Sequence, residues 1–249
     1  MLTRAARRCG RIDRISARIS AYQILPSLTE TNGGRSAPPR HEITRKWHYP
    51  CLMADSLYFS LWFSDFGTEN MFMHALAVIR EFPFSRRLPG ITGLALHPVS
   101  WNEATILEER FAPGAQPEEA IAIASGLVHE DYAYVFEANW DVWTPRQAPA
   151  EWMLEPSPVR FIVRGEEFEE GEAKTQGDIE IDFGIDAPFL HEELQFSGEL
   201  ETRVRVNVQA LVDFINRLEK SAGTSARLLW SESDENLAQK LVSRLQRVQ

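Results

Sequence analysis

Asp178-Ile179-Glu180-Ile181-Asp182-Phe183-Gly184 alternates charged and apolar residues. A β-strand turns successive side chains to opposite faces, so this stretch reads as a strand with three carboxylates on one face and Ile179, Ile181 and Phe183 on the other. Val159–Arg164 has the same alternation, with Arg160 and Arg164 on its polar side. Glu201–Val206 also alternates and reads as a strand carrying Arg203 and Arg205. An acidic strand between two basic ones gives complementary cross-strand pairs, each worth roughly 0.2–1 kcal/mol. The pattern therefore predicts a sheet with one apolar, buried face and one charged face left in water.

Around this sheet the second half reads β-β-β-α-β-α. Gly165–Gly177, with Glu166, Glu167, Glu169, Glu170 and Glu172, reads as a solvated acidic hairpin tip. A helix from about Val208 to Lys220 turns Leu211, Phe214, Ile215 and Leu218 inward and stops at Gly223. Ala226–Trp230 is a short strand. A last helix, capped by Ser231 or Ser233, carries Leu237, Leu241, Leu245 and Val248.

The preceding half starts with Leu57–Ser64, a strand with apolar residues on both faces. Thr68 caps a helix that runs to Glu81 and must stop at Pro83. Ile91–His97 and Ala104–Phe111 form a hairpin around Pro98, Ser100 and Asn102. Pro117 opens a second helix, and Asp131–Trp140 is a strand with Tyr132, Tyr134, Phe136, Ala138 and Trp140 on one face. The order βαββαβ is that of a ferredoxin-like, split βαβ unit. The fold class is therefore α+β. A ferredoxin-like half at 54–143 and a β-rich half at 157–249 pack closely, around one continuous sheet or two. The Pro- and Trp-rich stretch 144–156 is an ordered connection between them.

Charge divides the chain at Met53. Residues 1–52 hold ten Lys and Arg against three Asp and Glu, so the remainder holds 26 − 10 = 16 against 36 − 3 = 33. The basic segment reads as a disordered or non-native extension upstream of a start at Met53. Arg4, Arg7, Arg11, Arg14 and Arg18 beside Ile12, Ile15 and Ile19 also fit an amphipathic transit segment. The body repels phosphate backbones, and Ala104–Phe111 lacks the basic-Gly-aromatic pattern of an RNA-binding strand, so no nucleic-acid partner is expected. Cys9 and Cys51 both precede Met53, which excludes disulfide frameworks and thiolate metal sites from the body. That usage fits a cytoplasmic setting, or an organelle if 1–52 is a transit segment. No stretch reaches the ~20 apolar residues of a membrane span.

Dinucleotide, P-loop, nucleophile-elbow, zincin and Cys-x-x-Cys motifs are all absent. Three constellations remain. His97 and His129, with Glu130 and Asp131 adjoining, offer a base and an orienting carboxylate if their strands pair. Asp178, Glu180 and Asp182 offer oxygen ligands to a divalent cation, although cross-strand arginines explain them more simply. Tyr134, Trp140, Trp143 and Trp152 line an apolar pocket or, more simply, a core. No cofactor is implied. The sequence points to a non-enzymatic binding or assembly module that forms a homo-oligomer or takes a partner, with a small hydrolase as the alternative.

Overall fold

The computed structural model describes residues 56–145, 152–190 and 198–231. All of them belong to one unit, Cys51–Gln249. The basic segment, Met53, His191 and the helix expected after Ser231 lie outside the described residues.

Seven strands form one antiparallel sheet: β1 (Ser56–Trp62), β2 (Ile91–Pro98), β3 (Leu107–Arg110), β4 (Tyr132–Pro145), β5 (Trp152–Arg164), β6 (Ile179–Ile185) and β7 (Ala226–Ser231). Their spatial order is β3-β2-β4-β5-β6-β1-β7. The apolar rows predicted by alternation meet on one face. Leu57, Phe59 and Leu61 of β1 lie in the same core as Phe136 and Trp140 of β4, Phe161 and Val163 of β5, and Ile179 and Ile181 of β6. Three helices pack into that core: α1 (Met71–Arg80), α2 (Pro117–Ser125) and α5 (Gly198–Ser221). Two four-residue helices, α3 (Ala173–Gln176) and α4 (Ala187–Leu190), flank β6. No helix among the described residues is long and apolar enough to cross a membrane.

The helix boundaries follow local chemistry. Pro117 occupies the first turn of α2, where its missing N–H costs nothing, and Glu118 and Glu119 face the positive end of the dipole. α1 begins later than Thr68 suggests. Asn70 holds its N-cap position without a side-chain cap bond, and the Gly67 carbonyl accepts from the Asn70 and Met71 amides instead.

The element order βαββαβ is present, but its strands do not pair as a ferredoxin-like unit. β5 and β6 stand between β4 and β1, and β1 pairs with β6 and β7. Two local pairings dictate this. β4 and β5 form one long hairpin from Ala133↔Arg164 to Pro145↔Trp152. The expected connection at 144–156 therefore contributes strand to both arms. Pro156 and Pro158 lack donors and share one side of β5, so that edge cannot carry a ladder there. β6 accordingly pairs with β5 only from Arg160 to Val163.

A second correction concerns Glu201–Val206, which is helix and not strand. The alternation of Arg203 and Arg205 with Val204 and Val206 suggested a period of two. The buried set Val204, Val208, Leu211, Phe214 and Leu218 has the helical period. Glu199–Arg203 and Glu201–Arg205 are i,i+4 pairs along α5.

A buried amide ties α5 to the sheet. Asn207 is buried; its Oδ1 accepts from the Trp143 amide at 2.9 Å, and its Nδ2 donates to the Trp143 and Pro188 carbonyls at 2.8 and 2.9 Å. The amide thus acts as a short piece of neighbouring strand for the part of β4 that extends beyond β2. Leaving a buried donor or acceptor unmade costs about 1–3 kcal/mol, so Asn207→Ala should lower the unfolding free energy by at least about 2 kcal/mol in urea titrations. A loss near zero would mean that this junction does not hold α5.

Candidate functional site

The charged face of the sheet is not wet where β6 crosses it. Glu180 and Asp182 are only 5% and 4% exposed, and Arg164 is 3% exposed. The expected arginine neighbour is present. Arg160 meets Asp182 at 2.5 Å, and Arg164 Nη2 donates to Glu180 Oε1 at 3.2 Å. The second basic strand is missing because Arg203 and Arg205 lie on α5. β1 fills that place and sets Tyr58 opposite Asp182 and Ser60 opposite Glu180.

Water is excluded because the segment between β5 and β6 folds back over the sheet. Phe168 of this insertion is fully buried, and Trp101 meets it edge-on at 4.9 Å. The Trp101 indole donates to Glu172 Oε2 at 2.8 Å, and the Trp62 indole donates to the Ala173 carbonyl at 3.0 Å. Glu172 also accepts from Arg164 Nε at 3.3 Å. One arginine therefore sits between a carboxylate of the sheet and a carboxylate of the insertion. Gly165 makes the reversal feasible, since a Cβ there would lie 2.2 Å from the Glu130 carbonyl oxygen. Glu166, Glu167 and Glu170 stay exposed, as the acidic tip predicted, and with Gly171 and Lys174 they line an open concavity of about 320 Å³.

Each member of the carboxylate row has a different partner. Asp178 Oδ2 accepts from the Phe63 amide at 2.8 Å, and Asp182 Oδ1 accepts from the Gly184 amide at 2.8 Å. Burial raises Asp178 and Glu180 above the ordinary carboxylate range, with the Phe63 amide opposing at Asp178 and the Arg164 guanidinium opposing at Glu180. Among the described residues no three His, Cys, Asp or Glu side chains converge as metal ligands.

The two candidate histidines contact neighbouring residues of β4. His97 pairs with Ala133, whose side chain points away from the helices, and its ring lies 5.0 Å from Trp101 on the insertion side. His129 stacks on Tyr132 at 4.9 Å, and Tyr132 packs with the helix-side core. His129 Nδ1 meets Asp131, the orienting contact that the sequence suggested, while the Glu130 carbonyl accepts from the Glu167 amide at 2.9 Å. Desolvation holds His97 below the ordinary histidine value, with Glu108 pulling the other way. No sequence pattern signals the pairing of His74, which is buried on α1 with Nε2 3.1 Å from Asp65 Oδ1.

The aromatic group is built into the fold. The Tyr134 hydroxyl donates to the Leu127 carbonyl and accepts from the His129 amide, both at 2.8 Å, and burial pushes its pKa up to about 12. Trp140 packs edge-on against Phe82 and Phe183. Trp152 is buried in the core, and Trp143 carries the Arg203 guanidinium 4.9 Å from its ring centre.

The two sheet edges differ in chemistry. β3 presents Glu108, Glu109 and Arg110, all exposed, the charged protection common to edge strands. β7 presents Ala226-Arg227-Leu228-Leu229-Trp230-Ser231, and among the described residues it pairs only with β1. Leu228 is 50% exposed. Arg227 is drawn to Glu219 of α5 at 2.6 Å, and Trp230 stacks on Tyr58 at 4.5 Å with its indole donating to Ser60. Alternation alone could have found this apolar edge, but only the pairing order placed it at the margin.

Removing Arg164 strands two carboxylates, and breaking a buried pair typically costs about 3–5 kcal/mol, so Arg164→Met should destabilise by that amount in chemical denaturation. Glu180 has a raised folded-state pKa, so between the unfolded and folded values the folded state holds a proton that the unfolded chain has released. Its stabilising contribution is full below the unfolded value and is lost as pH rises through the folded value. Glu180→Gln imitates the protonated form. Its stability relative to the parent should therefore rise with pH, being greater at pH 7 than in acid, and a pH-independent difference would contradict this. Comparison with known protein families, curated protein sequences and solved structures found no match.

Proposed function

We propose that this chain is a non-enzymatic binding or assembly module whose working surface is the outer edge of β7. The observation that carries the reading is the contrast between the margins of the sheet: a charged strand at one and an apolar strand with a half-exposed leucine at the other. An open strand edge offers a row of backbone donors and acceptors, and a partner strand recognises them by extending the sheet. The net charge of −10 for the whole chain speaks against a nucleic acid as that partner.

Amide exchange in dilute protein tests the reading. The β7 amides that point away from β1 should exchange quickly, while those of β1 and β6 stay protected. Protection of every β7 amide in the monomer would show the edge already closed and would remove the proposal. Leu228→Lys should abolish partner binding yet change stability by no more than about 0.5 kcal/mol, as expected of a surface substitution.

A further inference from the structure

Resting on the open-edge reading, we propose that the strand accepted by β7 is β7 of a second copy, antiparallel about a two-fold axis normal to the sheet, with Leu228 facing Leu228 of the partner subunit. A two-fold contact matches a patch with itself, so the edge must be self-complementary. An axis normal to the sheet keeps each face continuous. Residues directly opposite must then share a face, which leaves three central registers, on Arg227, Leu228 or Leu229.

The register on Arg227 sets two like charges directly opposite, which is destabilising. The register on Leu229 puts Arg227 against Ser231 of the partner subunit and leaves the more exposed leucine off the axis. The register on Leu228 pairs Ala226 with Trp230 of the partner subunit and Arg227 with Leu229 of the partner subunit. It buries the half-exposed Leu228 against its own copy, and Arg227 keeps its Glu219 partner on α5. The Tyr58–Trp230 stack then adjoins the new ladder on the same face. The β3 edge offers no such match, because its exposed Glu108, Glu109 and Arg110 meet water on three successive residues. Stable interfaces bury about 1,200–2,000 Å², more than a ladder of five residues supplies, so a dissociation constant in the micromolar range is expected.

Disulfide trapping in the full chain reads the register. With Cys9→Ser and Cys51→Ser as background, single variants Leu228→Cys, Ala226→Cys and Leu229→Cys are oxidised at tens of micromolar. Directly opposite Cα atoms lie about 4.5–5.5 Å apart, within disulfide reach. In this register position 226 is offset from its own copy by four residues, about 13 Å, and position 229 by two residues, about 8 Å in all. Leu228→Cys should give at least tenfold more covalent dimer than the other two, and light scattering of the unmodified protein should show a dimer that Leu228→Lys dissolves. Equal trapping at all three positions, preferential trapping at 229, or a monomer throughout would overturn the proposal. If the protein stays monomeric, rapid amide exchange along β7 leaves the open-edge reading standing, and slow exchange removes both.

Discussion

Arg164 holds the two sides of this fold together. Its guanidinium lies between Glu180, on the central strand β6, and Glu172, on the segment that folds back over that strand. All three side chains are nearly out of water. An arginine suits the position because its planar fork can serve two carboxylates at once and its charge cannot be titrated away. Two carboxylates share this one cation, and burial, with a smaller contribution from the neighbouring Glu172, raises Glu180 above the ordinary carboxylate range. The insertion is clamped by charge on one flank and by two indole donors, Trp62 and Trp101, on the others.

That clamp gives the sheet two unlike faces, both covered at the centre. On the helix side the cover is a conventional apolar core of Leu, Phe and Ile against α1, α2 and α5. On the other side Phe168 and Ala173 are buried together with Arg164 and Glu180, and the arginine is paired with both Glu172 and Glu180. The remaining polar junction, Asn207 against β4, works by the same rule, since a buried amide holds its place only by pairing with the strand backbone beside it. Cover thins toward β7, where Leu228 remains half in solvent. Among the described residues β3 and β7 each pair with a single strand, so the sheet has two margins, and only the one at β7 is apolar.

Local readings succeeded where one residue's chemistry settles a boundary. Pro83 and Pro117 bracket helices as their missing N–H requires, and the alternation of Leu57–Leu61 and Asp178–Phe183 fixes which side chains face the core. The failures came from patterns that two structures share. Val204, Val206 and Val208 satisfy a strand's period over five residues, and only the longer run through Leu218 shows the helical one. Alternating charges satisfy both a wet face and a buried, paired one, because periodicity records sidedness and not solvent. His97 and His129 lie near strand ends in the sequence, and the register sets His97 opposite Ala133 while His129 stacks on Tyr132, the neighbouring residue of β4.

By itself the sequence determined the secondary elements with strong local signals, the two-sided character of the strands and the separation of a basic segment from an acidic body. These depend on interactions within a few residues, so a single chain displays them. Tertiary structure decided the strand order, the burial of the Arg164 cluster and the position of β7 at the margin. Each of these depends on which distant segments meet, and residues separated by a hundred positions leave no periodic mark on one another.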